Sequence, residues 1–81
     1  MRYVVFAKET CPYCVKAIEL LEDRRQNFKI VNFEEDQVKI LEEIKGAYEW
    51  QTVPMVFEIS DAATIKFIGG YTDLAAVFDE D

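Results

Sequence analysis

The sequence predicts one α/β domain with a mixed β-sheet between helices, in the element order β-α-β-α-β-β-α. The chain has 81 residues, a length typical of a single domain, so residues 1–81 are expected to fold as one unit. Apolar residue types make up 51% of the chain, which is normal for a folded protein and too rich for a disordered one. The periodicity of these apolar residues separates the strands from the helices.

Four segments have the pattern of β-strands. Residues 3–7 form a continuous apolar run rich in β-branched and aromatic side chains, as in a strand buried on both faces. Residues 28–33, 55–59 and 64–68 are the other three segments. The connection between the last two is short enough for a hairpin.

Helical spacing marks the segments between these strands. In residues 14–25, apolar side chains recur at i, i+4 and i+7 from Cys14 onwards. A second helix is predicted to follow Asp36 as its cap, because a carboxylate there can accept hydrogen bonds from the first free N–H groups. Gly46 is predicted to end that helix, since glycine is favoured just past a helix end.

The last helix is predicted to be short and to follow a break at Gly69-Gly70. Thr72 or Asp73 is the expected cap of this helix. The acidic end of the chain, residues 79–81, is expected to be a solvated, frayed tail, because anionic groups are unfavourable at a helix C-terminus.

The charge balance disfavours several classes of function. Lys and Arg total 9 and Asp and Glu total 16, so the net charge is −7 and a nucleic-acid partner is not expected. The chain has no histidine, which removes the base of a Ser-His-Asp or Cys-His system and the imidazole ligands of a zinc site. No stretch resembles a targeting signal or a membrane span, so we expect a cytoplasmic protein without a membrane partner, in a compartment that keeps thiols reduced.

The most informative stretch is Cys11-Pro12-Tyr13-Cys14, which follows a predicted strand and opens a predicted helix. Proline is favoured in the first helical position because its missing N–H has no partner there, so Cys11 becomes the N-cap. The N-cap side chain accepts hydrogen bonds from the N–H groups of Tyr13 and Cys14, and an ionised sulfur also meets the positive end of the helix dipole. Cys14 lies on the apolar stripe, so we predict an exposed, acidic Cys11 and a sheltered Cys14.

This cysteine pair is better suited to redox chemistry than to a structural role. A bridge over so short a loop stabilises a fold by roughly 2 kcal/mol, less than a bridge over a longer loop. A zinc or iron–sulfur site needs more ligands, and the chain has no third cysteine. A metal site completed by carboxylates and a pair of incidental buried cysteines are the alternatives. A lowered thiol pKa mainly improves Cys11 as a leaving group, so we expect mixed disulfides to form and to be released quickly.

Three motifs together resemble the signatures of the glutaredoxin family in their order and approximate spacing. They are Cys11-Pro12-Tyr13-Cys14, Thr52-Val53-Pro54 and Gly69-Gly70-Tyr71-Thr72-Asp73. The resemblance covers nearly the whole chain and is closest to the small dithiol glutaredoxins of bacteria and their viruses. It implies a thioredoxin fold with a four-stranded mixed sheet, a cis Val53–Pro54 bond, glutathione as reducing co-substrate, and neither a tightly bound cofactor nor a metal.

The resemblance also implies site residues. Cys11 would be the nucleophile and Cys14 the resolving thiol, and the two would form the redox-active disulfide. The main chain of Val53 would pair with the cysteinyl part of glutathione, like an added strand. The glutathione-binding positions implied are Lys8, Tyr13, Gln51, Thr52, Val53, Pro54, Gly70, Tyr71, Thr72 and Asp73.

Thr72 and Asp73 match positions that hold the γ-glutamyl end, and an Asp suits its ammonium group. The positions near the glycyl carboxylate are Lys8, Tyr13 and Gln51.

Simpler interpretations stay open, since Lys8 could be a surface charge, Tyr13 could only shield the sulfurs, and Thr72 and Asp73 could only cap a helix. Trp50 is interpreted as a rim or packing residue. The sequence departs from the family pattern in a final helix that looks short and in a stretch, residues 60–64, that looks longer than a tight hairpin.

The expected function is that of a glutathione-dependent thiol–disulfide oxidoreductase and a monomer. It would reduce protein disulfides through both cysteines, and protein–glutathione mixed disulfides through Cys11 alone. The family suggests ribonucleotide reductase as one protein partner. The alternatives are a redoxin of the same fold reduced by a thioredoxin-reductase-type flavoprotein and a non-catalytic interaction module. Thr72 and Asp73 argue against the first alternative, and the intact cysteine pair argues against the second.

Overall fold

Residues 1–8 and 11–79, which the computed structural model describes, form a four-stranded sheet and three α-helices. The strands are β1 (Arg2–Lys8), β2 (Asn27–Phe33), β3 (Met55–Ile59) and β4 (Ile65–Gly69). The helices are α1 (Pro12–Asp23), α2 (Val38–Ala47) and α3 (Tyr71–Asp79), and a 3₁₀ turn at Glu35–Gln37 precedes α2. The predicted fold class and element order are confirmed, and the 3₁₀ turn is an addition to them.

The sheet topology brings the three sequence motifs to one edge of the sheet. The strand order is β2-β1-β3-β4, with β1 parallel to β2 and antiparallel to β3, and β3 antiparallel to β4. Phe6, near the end of β1, pairs with Met55 at the start of β3, and Val56 pairs with Gly69 at the end of β4. The start of α1, the residues before β3 and the residues after β4 therefore lie side by side.

Side-chain alternation along β1 divides the core between the two faces of the sheet. Tyr3 and Val5 are buried against α1 and α3, while Val4 and Phe6 pack on the opposite face near α2. The buried residues of the first cluster are Tyr3, Val5, Ala17, Leu21, Val56 and Leu74. Those of the second cluster are Leu41, Met55 and Phe57.

The end of α1 is fixed by a Schellman motif. Arg25 adopts a positive φ of 55°, its N–H donates to Glu22 O at 3.0 Å, and the Gln26 N–H donates to Leu21 O at 2.9 Å. These two bonds satisfy carbonyls that a helix end otherwise leaves free. The helix closes two residues before the predicted end at Arg25.

Both predicted ends of α2 are wrong. Asp36 lies within the 3₁₀ turn, and the residue that precedes α2 is Gln37, which makes no side-chain cap bond. Gly46 is inside the helix, and the left-handed position is taken by Glu49 with φ 53°. The Trp50 N–H donates to Lys45 O at 2.8 Å, so a Schellman motif closes this helix as it closes α1. Its left-handed residue lies three positions after Gly46, the predicted stop.

The β3–β4 connection is tighter than expected. The Ser60 N–H donates to Thr64 O at 3.0 Å, and the Ala63 N–H donates to Ser60 O at 2.9 Å. Ala63 has a positive φ of 62°, as in a three-residue hairpin loop that ends in a left-handed residue. The expectation that the connection at residues 60–64 is longer than a tight hairpin is therefore wrong.

At the chain end, Asp79 is the exposed last residue of α3, and residues 80 and 81 of the predicted tail lie outside the described residues. None of the helices in residues 1–8 and 11–79 is both long and apolar enough to cross a membrane.

Candidate active site

The first turn of α1 holds Cys11 in the predicted N-cap position. Its backbone is extended, with φ −113° and ψ 104°, and its carbonyl accepts hydrogen bonds from the N–H groups of Cys14 and Val15 at 3.1 and 3.2 Å. The sulfur of Cys11 accepts from the Cys14 N–H at 3.3 Å. Pro12 occupies the first turn, where its missing N–H leaves no bond unmade. The sulfur thus accepts from the Cys14 N–H at the positive end of the helix dipole, and the second predicted bond, from the Tyr13 N–H, is not formed.

Cys11 and Cys14 form a disulfide, with their Cα atoms 5.2 Å apart. The two residues differ in exposure, as predicted. Cys11 is partly exposed, whereas Cys14 is 3% exposed. An external thiol or disulfide can therefore reach the sulfur of Cys11 more easily than that of Cys14.

The segment before β3 lies against the sulfur of Cys11. The Val53–Pro54 peptide bond is cis, which confirms the prediction, and Pro54 is buried. The carbonyl oxygen of Val53 lies 3.7 Å from Cys11 Sγ. The main chain of Val53 therefore faces the redox pair at the edge of the sheet.

A groove of about 280 Å³ begins beside this segment and runs to the start of α3. It contains eight of the ten predicted glutathione-binding residues and one residue, Trp50, that was interpreted as rim or packing. Its lining residues are Tyr13, Trp50, Thr52, Val53, Pro54, Gly70, Tyr71, Thr72 and Asp73. All three sequence motifs thus contribute to one concave surface.

The N-terminus of α3 forms one end of this groove. Gly70 is its N-cap, because the Gly70 carbonyl accepts from the Leu74 N–H at 3.0 Å. Thr72 and Asp73 lie within the first turn, so the prediction that one of them is the N-cap is wrong. Asp73 still contributes to capping, since its Oδ2 accepts from the Gly70 N–H at 3.0 Å.

Gly69 permits this arrangement of the α3 terminus. It has φ +124°, a conformation that side chains with a Cβ rarely adopt. A Cβ added there would overlap the carboxylate group of Asp73. The carboxylate that caps α3 therefore occupies space that only glycine leaves free.

The structure places Lys8 and Gln51 outside the lining of the groove. Lys8 lines a separate depression of about 500 Å³ on the β1–β2 side, which Cys11, Pro12 and Cys14 also line. Gln51 is exposed beside the groove segment. Their predicted contacts with a glycyl carboxylate stay predictions.

Two residues outside the predicted glutathione-binding set, Trp50 and Lys16, lie in or beside the groove. Trp50 packs edge-on against Phe67 at 5.2 Å and forms part of the groove wall. Lys16 lies with its Nζ 5.1 Å from the ring centre of Tyr13 and 6.0 Å from that of Tyr71. The i, i+3 spacing of Tyr13 and Lys16 on α1 was a signal for the first of these contacts.

In the ranges that the structure describes, no group of three or more His, Cys, Asp or Glu side chains could hold a metal ion.

Comparison with known proteins agrees with this geometry. The Glutaredoxin family model matches residues 3–61. Glutaredoxin 1 of Escherichia coli K12 is 34% identical, over 94% of this chain and 91% of its own. The chain belongs to the glutaredoxin family. Glutaredoxins are thiol–disulfide oxidoreductases, and the Cys11–Cys14 pair is that of a dithiol glutaredoxin.

Solved glutaredoxin structures share the fold. The crystal structure of wheat glutaredoxin aligns with a TM-score of 0.82 and 30% identity, over 99% of this chain and 74% of that one. The crystal structure of a buckwheat glutaredoxin–glutathione complex aligns with a TM-score of 0.82 and 25% identity, over 96% of this chain and 68% of that one. The four-stranded mixed sheet with its helices is therefore a thioredoxin fold.

Proposed function

We propose that the chain reduces disulfides with electrons from glutathione, and that the groove between Val53 and Asp73 binds this tripeptide. The observation that carries the proposal is the position of Cys11, whose sulfur lies at the N-cap of α1 and 3.7 Å from the Val53 carbonyl beside the groove. A tripeptide lying in the groove would have its own sulfur next to that of Cys11, the more exposed of the two cysteines.

The groove suits glutathione in shape and charge. The Val53 main chain borders it and can pair with an extended peptide, as an added strand does. Asp73 supplies a carboxylate for the ammonium group of the γ-glutamyl residue, and the first turn of α3 supplies N–H groups for its carboxylate. The buckwheat relative, solved as a complex with glutathione, supports the same ligand here.

The proposed reaction divides the work between the two cysteines. The Cys11 thiolate attacks one sulfur of a substrate disulfide, which forms a mixed disulfide with Cys11 and releases the other substrate sulfur as a thiolate. The Cys14 thiolate then attacks Cys11 Sγ, forms the intramolecular disulfide and frees the second substrate thiolate, so the substrate gains two electrons.

Two glutathione molecules return these electrons. The first glutathione thiolate attacks the sulfur of Cys11, forms a Cys11–glutathione mixed disulfide and releases Cys14 as a thiolate. The second attacks the glutathione sulfur, which yields glutathione disulfide and restores the Cys11 thiolate. For a protein–glutathione mixed disulfide, Cys11 alone suffices, since it takes the glutathione and releases the protein thiol.

The assignment of individual residues is part of the proposal. Cys11 is the nucleophile and Cys14 the resolving thiol. The glutathione-binding set is the part of the predicted set that lines the groove, namely Tyr13, Thr52, Val53, Pro54, Gly70, Tyr71, Thr72 and Asp73. No tightly bound cofactor enters this scheme, and the protein acts as one domain and a monomer.

The test is turnover of a glutathione mixed disulfide with glutathione, glutathione reductase and NADPH, with thioredoxin reductase and NADPH as the rival electron source. We expect NADPH oxidation that depends on the chain, on the substrate and on glutathione. Turnover with thioredoxin reductase alone, and none with glutathione, would show a redoxin reduced by a flavoprotein instead.

A further inference from the structure

Lys16 lies beside the groove with its ammonium group close to two aromatic rings. Its Nζ lies 5.1 Å from the ring centre of Tyr13 and 6.0 Å from that of Tyr71. The two rings are themselves 6.3 Å apart, one on α1 and the other at the start of α3. Both tyrosines line the groove, so the lysine, though outside its lining, is in contact with one wall.

The interaction with two aromatic faces holds the ammonium group near the groove. Each ring face attracts a cation through the negative charge of its π-system. A free lysine chain loses rotamer entropy when it forms an ion pair, which is one reason why surface pairs are weak. Part of that loss has already occurred at Lys16, so a carboxylate that arrives here meets a partly ordered cation.

The charges around the groove leave this cation available. Asp73 is the charged side chain among the described lining residues, and its carboxylate already accepts from the Gly70 N–H. The ion pairs formed within residues 1–8 and 11–79 do not include Lys16. Lys8, the cation expected from the family pattern to serve a carboxylate, is not among the residues that line the groove; it lines the separate depression that also contains Cys11 and Cys14.

We propose that Lys16 is a specificity-determining residue that recognises a carboxylate next to the reacting disulfide. The inference rests on the proposed function, since it concerns substrates whose glutathione moiety lies in this groove. The carboxylate has two sources, an acidic residue that flanks the modified cysteine of a substrate protein and the glycyl end of glutathione itself. We favour the flanking acidic residue, because Lys16 is exposed and lies outside the lining of the groove that would hold glutathione itself.

The experiment measures kcat/KM for three glutathionylated hexapeptides with Glu, Gln or Lys on both sides of the cysteine. The ratio of the Glu peptide to the Lys peptide is the readout, because the net charge of −7 affects all absolute rates. Lys16→Gln should lower this ratio about two- to five-fold, the range of an exposed ion pair. Lys16→Arg should keep it, and 300 mM salt should reduce it in the unaltered protein.

Lys39→Gln is the matched control, since Lys39 is also an exposed helical lysine but lies on α2. The same loss of charge there should leave the ratio nearly unchanged. Alkylation of Cys11 by neutral iodoacetamide should proceed equally in both variants, which separates substrate selection from a change in the thiol itself.

A second arm identifies the source of the carboxylate. It compares the Gln peptide carrying glutathione with the same peptide carrying the glycyl monoethyl ester of glutathione. If Lys16→Gln lowers only the kcat/KM ratio of the glutathione peptide to the ester peptide, the recognised group is the glycyl carboxylate. If it lowers only the kcat/KM ratio of the Glu peptide to the Lys peptide, the recognised group belongs to the partner. If neither quantity changes more than in Lys39→Gln, the proposal is wrong. Failure of the proposed function is a different result, namely no turnover of any glutathione mixed disulfide by the unaltered chain.

Discussion

The N-terminal ends of α1 and α3 meet at the same edge of the sheet, but they satisfy their free N–H groups differently. At α1 the acceptor is the N-cap side chain, the sulfur of Cys11, which is partly exposed. At α3 the N-cap is Gly70, which has no side chain, and the acceptor is the carboxylate of Asp73 from within the first turn. The first arrangement places a reactive atom at the helix end, and the second leaves the helix end open towards the groove.

In the function proposed above, these two similar helix ends serve reaction and recognition separately. Both present N–H groups and the positive end of a helix dipole. The end that carries sulfur stabilises a thiolate and so favours its departure from a mixed disulfide. The end that carries the carboxylate of Asp73 is proposed to contribute binding instead. The following changes test this division, from the largest expected effect to the smallest.

Cys11→Ser removes the reactive atom from the end of α1 and should abolish reduction of both protein disulfides and glutathione mixed disulfides. Serine is itself a good N-cap, so the helix should remain. Coupled NADPH assays measure the loss, and circular dichroism checks the fold. Residual turnover above the enzyme-free rate would show that another group is the nucleophile.

Cys14→Ser should separate the two routes. Reduction of a protein disulfide should fall by at least about 100-fold, because the mixed disulfide on Cys11 has no internal thiol to resolve it. Release of glutathione from a mixed disulfide should change by no more than a few-fold. Equal loss of both activities would contradict the division of labour between the cysteines.

Gly69→Ala tests the backbone requirement of the α3 terminus. Its positive φ and the overlap of the new Cβ with the carboxylate of Asp73 should lower the free energy of unfolding by about 1–3 kcal/mol. Urea unfolding measures this change. Gly46→Ala is the control, because that position lies inside α2 with open space around it, and alanine there should be neutral or stabilising.

Asp73→Asn removes the charge at the α3 end but keeps an oxygen that can accept from the Gly70 N–H. We expect KM for a glutathione mixed disulfide to rise about five- to ten-fold, or roughly 1–1.4 kcal/mol, with little change in thermal stability. Initial-rate kinetics and a melting curve measure the two quantities. An unchanged KM would assign Asp73 to capping alone.

Features set by local chemistry could be predicted from the sequence. Pro12 in the first turn places Cys11 at the N-cap, and the Thr52-Val53-Pro54 motif indicated the cis bond through its resemblance to the family. The strand β1 could be predicted because the continuous apolar run of residues 3–7 matches a strand that is packed on both faces of the sheet. These features depend on residues close in sequence or on a motif already known.

The errors occur where tertiary contacts decide. Glycine at 46 is a good helix stop, yet α2 continues and Glu49 takes the left-handed position. The closing bond comes from Trp50, whose ring packs on Phe67 of β4 and so fixes where the chain leaves the helix. The contact of Lys16 with Tyr71 likewise joins two helices that are far apart in sequence.

The most direct test of the division between the two helix ends is a titration of the Cys11 thiol in reduced Cys14→Ser protein, followed by thiolate absorbance at 240 nm. The Cys14 N–H group and the dipole at the start of α1 should hold the pKa of Cys11 well below that of a free cysteine. An absorbance step near pH 8.5, the ordinary value for cysteine, would contradict the account.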